Sequence, residues 1–126
     1  MTIPHRILIV DDDPDVSRMM RVAFQGEDYE ILAASSGQEG LERIISDKPE
    51  ILILDIYMPE MDGCEVLERL RRDEATTSIP VVMLTAQDAE KDILKCQQMG
   101  ALFYCIKPFL PQELADLIKR ILDRSE

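Results

Sequence analysis

Five short apolar runs recur along the chain, separated by longer stretches whose apolar positions follow a helical period. The runs are Arg6–Val10, Tyr29–Ala34, Ile51–Leu54, Val81–Leu84 and Leu102–Ile106. Ile7-Leu8-Ile9-Val10 and Ile51-Leu52-Ile53-Leu54 lack polar alternation, the pattern of strands buried on both faces of a parallel sheet. Val16, Met19, Met20, Ala23 and Phe24 form one apolar stripe and predict a helix, with Asp13 as N-cap and Pro14 as first helical residue. Gly40, Leu41, Ile44 and Ile45 predict a second helix that stops before Pro49. Val66, Leu67 and Leu70 predict a third after the Asp62-Gly63 turn. Ile93, Leu94 and Met99 predict a fourth, closed by Gly100 as C-cap, and Leu114, Leu117, Ile118, Ile121 and Leu122 a fifth. Five β-α units imply a parallel sheet with right-handed crossovers and helices on both faces. The expectation is one α/β domain over residues 1–126. The chain stops four residues after Leu122, which fits either a single-domain protein or a segment ending ahead of a linker.

Composition narrows the class. A length of 126 residues with 46% apolar side chains fits one domain with a real core and excludes intrinsic disorder. The 14 basic and 25 acidic residues leave a formal net charge of −11, which argues against binding of nucleic acid or an anionic membrane by this chain. No apolar run approaches the ~20 residues of a membrane span. Cys64, Cys96 and Cys105 are odd in number, widely spaced and set among apolar residues. They predict free thiols in a reducing cytoplasm rather than a disulfide framework or a zinc site. The single histidine, His5, leaves little for histidine-based catalysis.

The chemistry gathers at the carboxyl ends of the strands, where open α/β sheets bind ligands. The first strand runs into Asp11-Asp12-Asp13 and the third into Asp55, while the fourth ends at Thr85-Ala86 and the fifth at Lys107-Pro108. With the first and third strands adjacent, Asp11, Asp12 and Asp55 converge. Carboxylates so placed repel, and one is driven to protonate unless a hard divalent cation joins them. Lys107 adds a positive charge and Thr85 a hydroxyl, and together they suit an acyl phosphate.

Four stretches, Val10-Asp11-Asp12-Asp13-Pro14, Leu54-Asp55 through Met61-Asp62-Gly63, Leu84-Thr85-Ala86 and Lys107-Pro108-Phe109, strongly resemble the receiver domains of two-component response regulators. The resemblance covers the whole chain. It implies a flavodoxin-like doubly wound (βα)5 fold with strand order 2-1-3-4-5. It also implies a phosphoacceptor role in a two-component phosphorelay, with a histidine kinase or histidine phosphotransfer protein as donor and Mg²⁺ as cofactor. Asp55 would take the phosphoryl group. Asp12, Asp55 and the backbone carbonyl of Tyr57 would ligate the metal, and Asp11 would hold it through water. Thr85 and Lys107 would bind the phosphoryl oxygens, Lys107 pairing with Asp55 beforehand across a cis Lys107–Pro108 peptide. Thr85 and Tyr104 would act as the switch pair, reshaping the face of the fourth helix, fifth strand and fifth helix for a downstream protein partner. On this reading the chain is a signalling switch that catalyses only its own phosphorylation and slow autodephosphorylation. Bulky Tyr57 and Gln87 flank the route of attacking water, and Leu102-Phe103 places two large apolar residues at a corner where receivers often carry small or acidic ones.

Two other functions fit the same pattern less well. A Mg²⁺-dependent aspartyl-phosphate phosphohydrolase needs an Asp-x-Asp-x-Thr-type run, and Asp11 to Asp15 lacks the threonine. A phosphorylation-independent interaction module on the same fold does not require all five pocket residues.

Overall fold

In the computed structural model, residues 3–86, 90–98, 100 and 103–125 are described, with the side chains of residues 90, 92, 93, 95, 124 and 125 left aside. Strands β1 (His5–Val10), β2 (Tyr29–Ala34), β3 (Ile51–Asp55), β4 (Val81–Ala86) and β5 (Phe103–Lys107) alternate with helices α1 (Asp15–Ala23), α2 (Gly37–Asp47), α3 (Gly63–Arg72), α4 (Glu90–Gln98) and α5 (Pro111–Ser125). All strand pairs are parallel, in the order β2-β1-β3-β4-β5. The doubly wound order expected from the sequence is the one observed.

Alternation along the central strands divides the core in two. Leu8, Val10, Leu52 and Leu54 pack with Ile44 of α2, Val66 and Leu67 of α3 and Cys96 of α4. Ile7, Ile9, Ile51 and Ile53 pack on the other face with Val16 and Met20 of α1 and Leu114, Ile118 and Leu122 of α5. Both faces of β1 and β3 are therefore apolar, which is why these strands read as unbroken apolar runs. Each buried aliphatic side chain contributes roughly 1.5–3 kcal/mol, enough to fix the sheet register that the site depends on.

The helix signals are mostly realised. Ser36 and Asp62 cap α2 and α3, accepting hydrogen bonds from the Glu39 and Glu65 amides. Gly100 adopts φ +89° and donates to the Gln97 carbonyl, as a C-cap does. Pro14 rather than Asp13 is the boundary residue of α1, its carbonyl accepting from Arg18 N–H, while the Asp13 carboxylate accepts from Asp15 N–H. Gln87, Met99 and Leu102 lie outside the described residues.

One expectation is corrected. Cys64 and Cys96 form a disulfide, with Cα atoms 5.9 Å apart and a separation of 32 positions in sequence. Only Cys105 is a free, buried thiol. Distance in sequence concealed the pair, because α3 and α4 lie side by side on one face of the sheet and bring the two thiols together there. With this bond formed, cysteine usage no longer points to a reducing compartment. No described helix is long and apolar enough to cross a membrane.

Gly63 joins the fold to the site. A Cβ there would run into the Asp55 carbonyl oxygen and come within 3.0 Å of the Asp55 carbonyl carbon and Ile56 Cα, all backbone atoms. Gly40 faces only Val10 side-chain carbons. Gly63→Ala is therefore expected to lower unfolding free energy by about 1–3 kcal/mol, and by more than Gly40→Ala, in urea denaturation of the two variants.

Candidate functional site

Strand register assembles the site. Val10 pairs with Leu54, so Asp11 and Asp55 leave adjacent strands at neighbouring positions. Asp55 pairs with Leu84 and Thr85 with Ile106, which sets Thr85 and Lys107 one residue further along their strands. Residues far apart in sequence thus meet at one sheet edge. Asp11 (5% exposed), Asp55 (6%) and Thr85 (1%) are buried, whereas Asp12 is exposed.

Carboxylate oxygens of Asp11, Asp12 and Asp55 all lie within 4.8 Å of one another. Opposite ligands of an octahedral Mg²⁺ ion stand about 4.2 Å apart, twice the ~2.1 Å bond, so the trio fits such an ion without rearrangement of the strands. An all-oxygen donor set with two buried carboxylates also suits a hard cation better than a soft one.

Lys107 Nζ donates to Asp11 Oδ2 at 3.1 Å and stands 3.7 Å from Asp55 Oδ2. Its shorter contact is therefore with Asp11, where the sequence reading pairs it with Asp55. The Lys107–Pro108 peptide is cis, as expected. The Thr85 hydroxyl donates to the Ala86 carbonyl at 3.3 Å. Asp55 Oδ1 accepts from the Tyr57 amide at 3.4 Å, and the Tyr57 side chain stands exposed beside the site. Tyr104 is partly buried against the α2–α4 side of the core. Phe103 is half-buried against the α1–α5 side, so it packs rather than projects. Ile106, which the sequence reading did not single out, is the large apolar residue that β5 exposes. Its alternation with buried Cys105 could have signalled this.

The electrostatics follow from the crowding. Burial, then the Asp11 charge, push the Asp55 carboxyl from 3.8 up to about 7; Lys107 opposes this, while a hydrogen bond with Asp11 and the Asp12 charge add to it. Burial works against the Lys107 ammonium, but Asp55, the hydrogen bond to Asp11 and the Asp11 and Asp13 charges more than offset it and raise its pKa. Burial and the neighbouring carboxylates thus favour protonation of Asp55 in the absence of a cation.

Comparison with known proteins agrees with this geometry. The family model described as response regulator receiver domain matches residues 7–119. The chain is 40% identical over 119 residues to the phosphate regulon transcriptional regulatory protein PhoB of Pseudomonas aeruginosa, covering 94% of this chain and 52% of that protein. It is 36% identical over 121 residues to the alkaline phosphatase synthesis transcriptional regulatory protein PhoP of Bacillus subtilis, covering 96% and 50%. The chain therefore spans about half the length of these curated relatives. A CheY-like response regulator receiver domain protein from Methanospirillum hungatei superposes with a TM-score of 0.86 at 30% identity, covering 96% of this chain and 95% of that one.

Two expectations follow for the metal-free protein. A folded-state pKa raised toward about 7 means Asp55 supports folding fully below about pH 4 and loses that contribution as pH rises through about 7. The melting temperature of Asp55→Asn, measured against the parent, is thus expected to gain between about pH 4 and 7. Mg²⁺ is expected to raise the parent's melting temperature, because it relieves repulsion in the folded state alone. Asp12→Ala should remove most of that rise, whereas Asp13→Ala should keep it and lose only the ~1 kcal/mol of the hydrogen bond that the Asp13 carboxylate accepts from Asp15 N–H.

Proposed function

The chain belongs to the response regulator receiver domain family, whose members are phosphoacceptors in two-component signalling, and we propose that Asp55 is the residue phosphorylated. The observation that carries this reading is the convergence of Asp11, Asp12 and Lys107 on the buried Asp55 carboxylate. The donor is a phosphohistidine on a histidine kinase or histidine phosphotransfer protein. An Asp55 carboxylate oxygen attacks phosphorus, the P–O bond forms, and the P–N bond breaks with its electron pair leaving on the imidazole.

Asp11, Asp12, Asp55 and the Tyr57 carbonyl would hold Mg²⁺, Asp11 through water. When bound, the cation offsets the charge that accumulates between carboxylate and phosphoryl oxygens. Lys107 transfers from Asp11 to the phosphoryl group, a move of a flexible side chain between acceptors already close to it. Thr85 turns its hydroxyl from the Ala86 carbonyl toward a phosphoryl oxygen. That rotation vacates space beside Tyr104, which is on the neighbouring strand, and the face of α4, β5 and α5 changes shape. A downstream protein docks there.

The residues of the site act in the chain's own phosphorylation and slow dephosphorylation, not on a separate substrate, so the protein is a switch rather than an enzyme in the ordinary sense. Its place is the cytoplasm, where phosphorelay donors present phosphohistidine. The net charge of −11 supports contact with proteins rather than nucleic acid by this chain. The phosphohydrolase alternative is not favoured, since the matched relatives are transcriptional regulators.

Incubation with acetyl phosphate and Mg²⁺ is expected to add one phosphoryl group by intact mass, and Asp55→Asn to abolish it; equal labelling of the variant would refute the assignment. For the output face, Ile106→Asp is expected to weaken partner binding about ten- to a hundred-fold, the worth of one buried aliphatic side chain, with labelling of Asp55 unchanged. Phe103→Ala is expected instead to lower the melting temperature with partner affinity preserved.

A further inference from the structure

The Cys64–Cys96 bond lies outside the phosphorylation chemistry yet spans its moving parts. Its α3 end follows Gly63, the residue wedged against the Asp55 backbone. Its other end is in α4, the helix that follows β4 and Thr85. The covalent ring closed by the bond therefore contains the whole of β4 and Thr85 with it. Both sulfurs sit in the packed cluster against which Tyr104 leans. Cys105 belongs to the cluster on the opposite face of the sheet, so it does not compete for either partner.

We propose that Cys64 and Cys96 form a redox-active dithiol/disulfide site that clamps α4 to α3, with dithiol reductants as the class that opens it and hydroperoxides as the class that closes it. The regulatory consequence rests on the reading of Asp55 as phosphoacceptor. With the bond closed, α4 is held and the α4–β5–α5 face does not respond to phosphorylation; with it open, α4 shifts and the face responds.

Opening is a two-electron exchange. A thiolate of the reductant attacks one sulfur, the Cys64–Cys96 bond breaks, and a mixed disulfide forms. The reductant's second thiolate then resolves it. Two protons complete Cys64 and Cys96 as thiols, and the reductant leaves as its own disulfide. In closing, one thiolate takes an oxygen from the hydroperoxide, whose O–O bond breaks to release water or an alcohol, giving a sulfenic acid. The second thiol condenses with it, forming the S–S bond and releasing water. Because both residues are buried, either exchange proceeds through local opening of α4 rather than attack on the closed fold.

The test compares the full chain treated with hydrogen peroxide and with dithiothreitol. Alkylation after denaturation, read by intact mass, is expected to add two fewer adducts to the oxidised protein. Hydrogen exchange of α4 amides is expected to be at least tenfold slower when oxidised, before any phosphorylation. After acetyl phosphate and Mg²⁺, both forms are expected to carry one phosphoryl group, with exchange in α4 and β5 changing only in the reduced form. Cys96→Ser and Cys64→Ser are expected to behave as the reduced form under either treatment. Thiols that stay free in peroxide, equal α4 exchange in the two forms, or loss of the folded state on reduction would each overturn the clamp. Absence of phosphoryl label in both forms would refute the Asp55 reading instead, leaving the α4 exchange contrast to judge the clamp.

Discussion

Carboxylate crowding at the ends of β1 and β3 is the constraint on which the site depends. Two buried strands in parallel register deliver Asp11 and Asp55 to the same spot with Asp12 beside them. Packing of Ile and Leu side chains on both faces holds them there, so the repulsion cannot relax by moving the backbone. The system answers it with a proton on Asp55, the Lys107 ammonium or a divalent cation. On the proposed reading, these positions are where the charge of a phosphoryl group would be accommodated, so the electrostatic imbalance that destabilises the metal-free site would also prepare it for ligand and substrate.

The parts of the site differ in how firmly they are held. Asp55 is fixed by β3 and by Gly63 against its backbone. Lys107 stands 3.1 Å from Asp11 and 3.7 Å from Asp55, and the Thr85 hydroxyl 3.3 Å from the Ala86 carbonyl, all acceptors that a side-chain rotation can exchange. A rigid acceptor with movable ligands around it is what the proposed switch requires: the phosphoryl group would bond to the fixed residue, and the movable residues would carry the change outward toward Tyr104 and α4.

Much of this was legible in the sequence because it depends on local pattern. Unbroken aliphatic runs identified the buried strands, helical stripes marked the helices, and the acidic residues directly after the first and third runs marked the site. Gly100 fulfils C-cap chemistry that operates within a few residues. What stayed hidden depends on three-dimensional neighbourhood. The Cys64–Cys96 pair arises from side-by-side packing of two helices, which neither spacing nor composition encodes. The preference of Lys107 for Asp11 over Asp55 is a matter of tenths of an ångström between acceptors on adjacent strands. Whether Phe103 packs or projects is likewise set by the helices over each face of β5: it lies in the α1–α5 cluster, while Ile106 is exposed.

Burial and like charge make the Asp55 carboxylate costly until a cation joins it. Carbon-13 NMR titration of the aspartate side-chain carboxyls reads this directly, site by site. Asp55 is expected to titrate at about 7 without metal and well below that in saturating Mg²⁺. An Asp55 that titrates at the ordinary carboxylate value of about 3.9 in both conditions would contradict it.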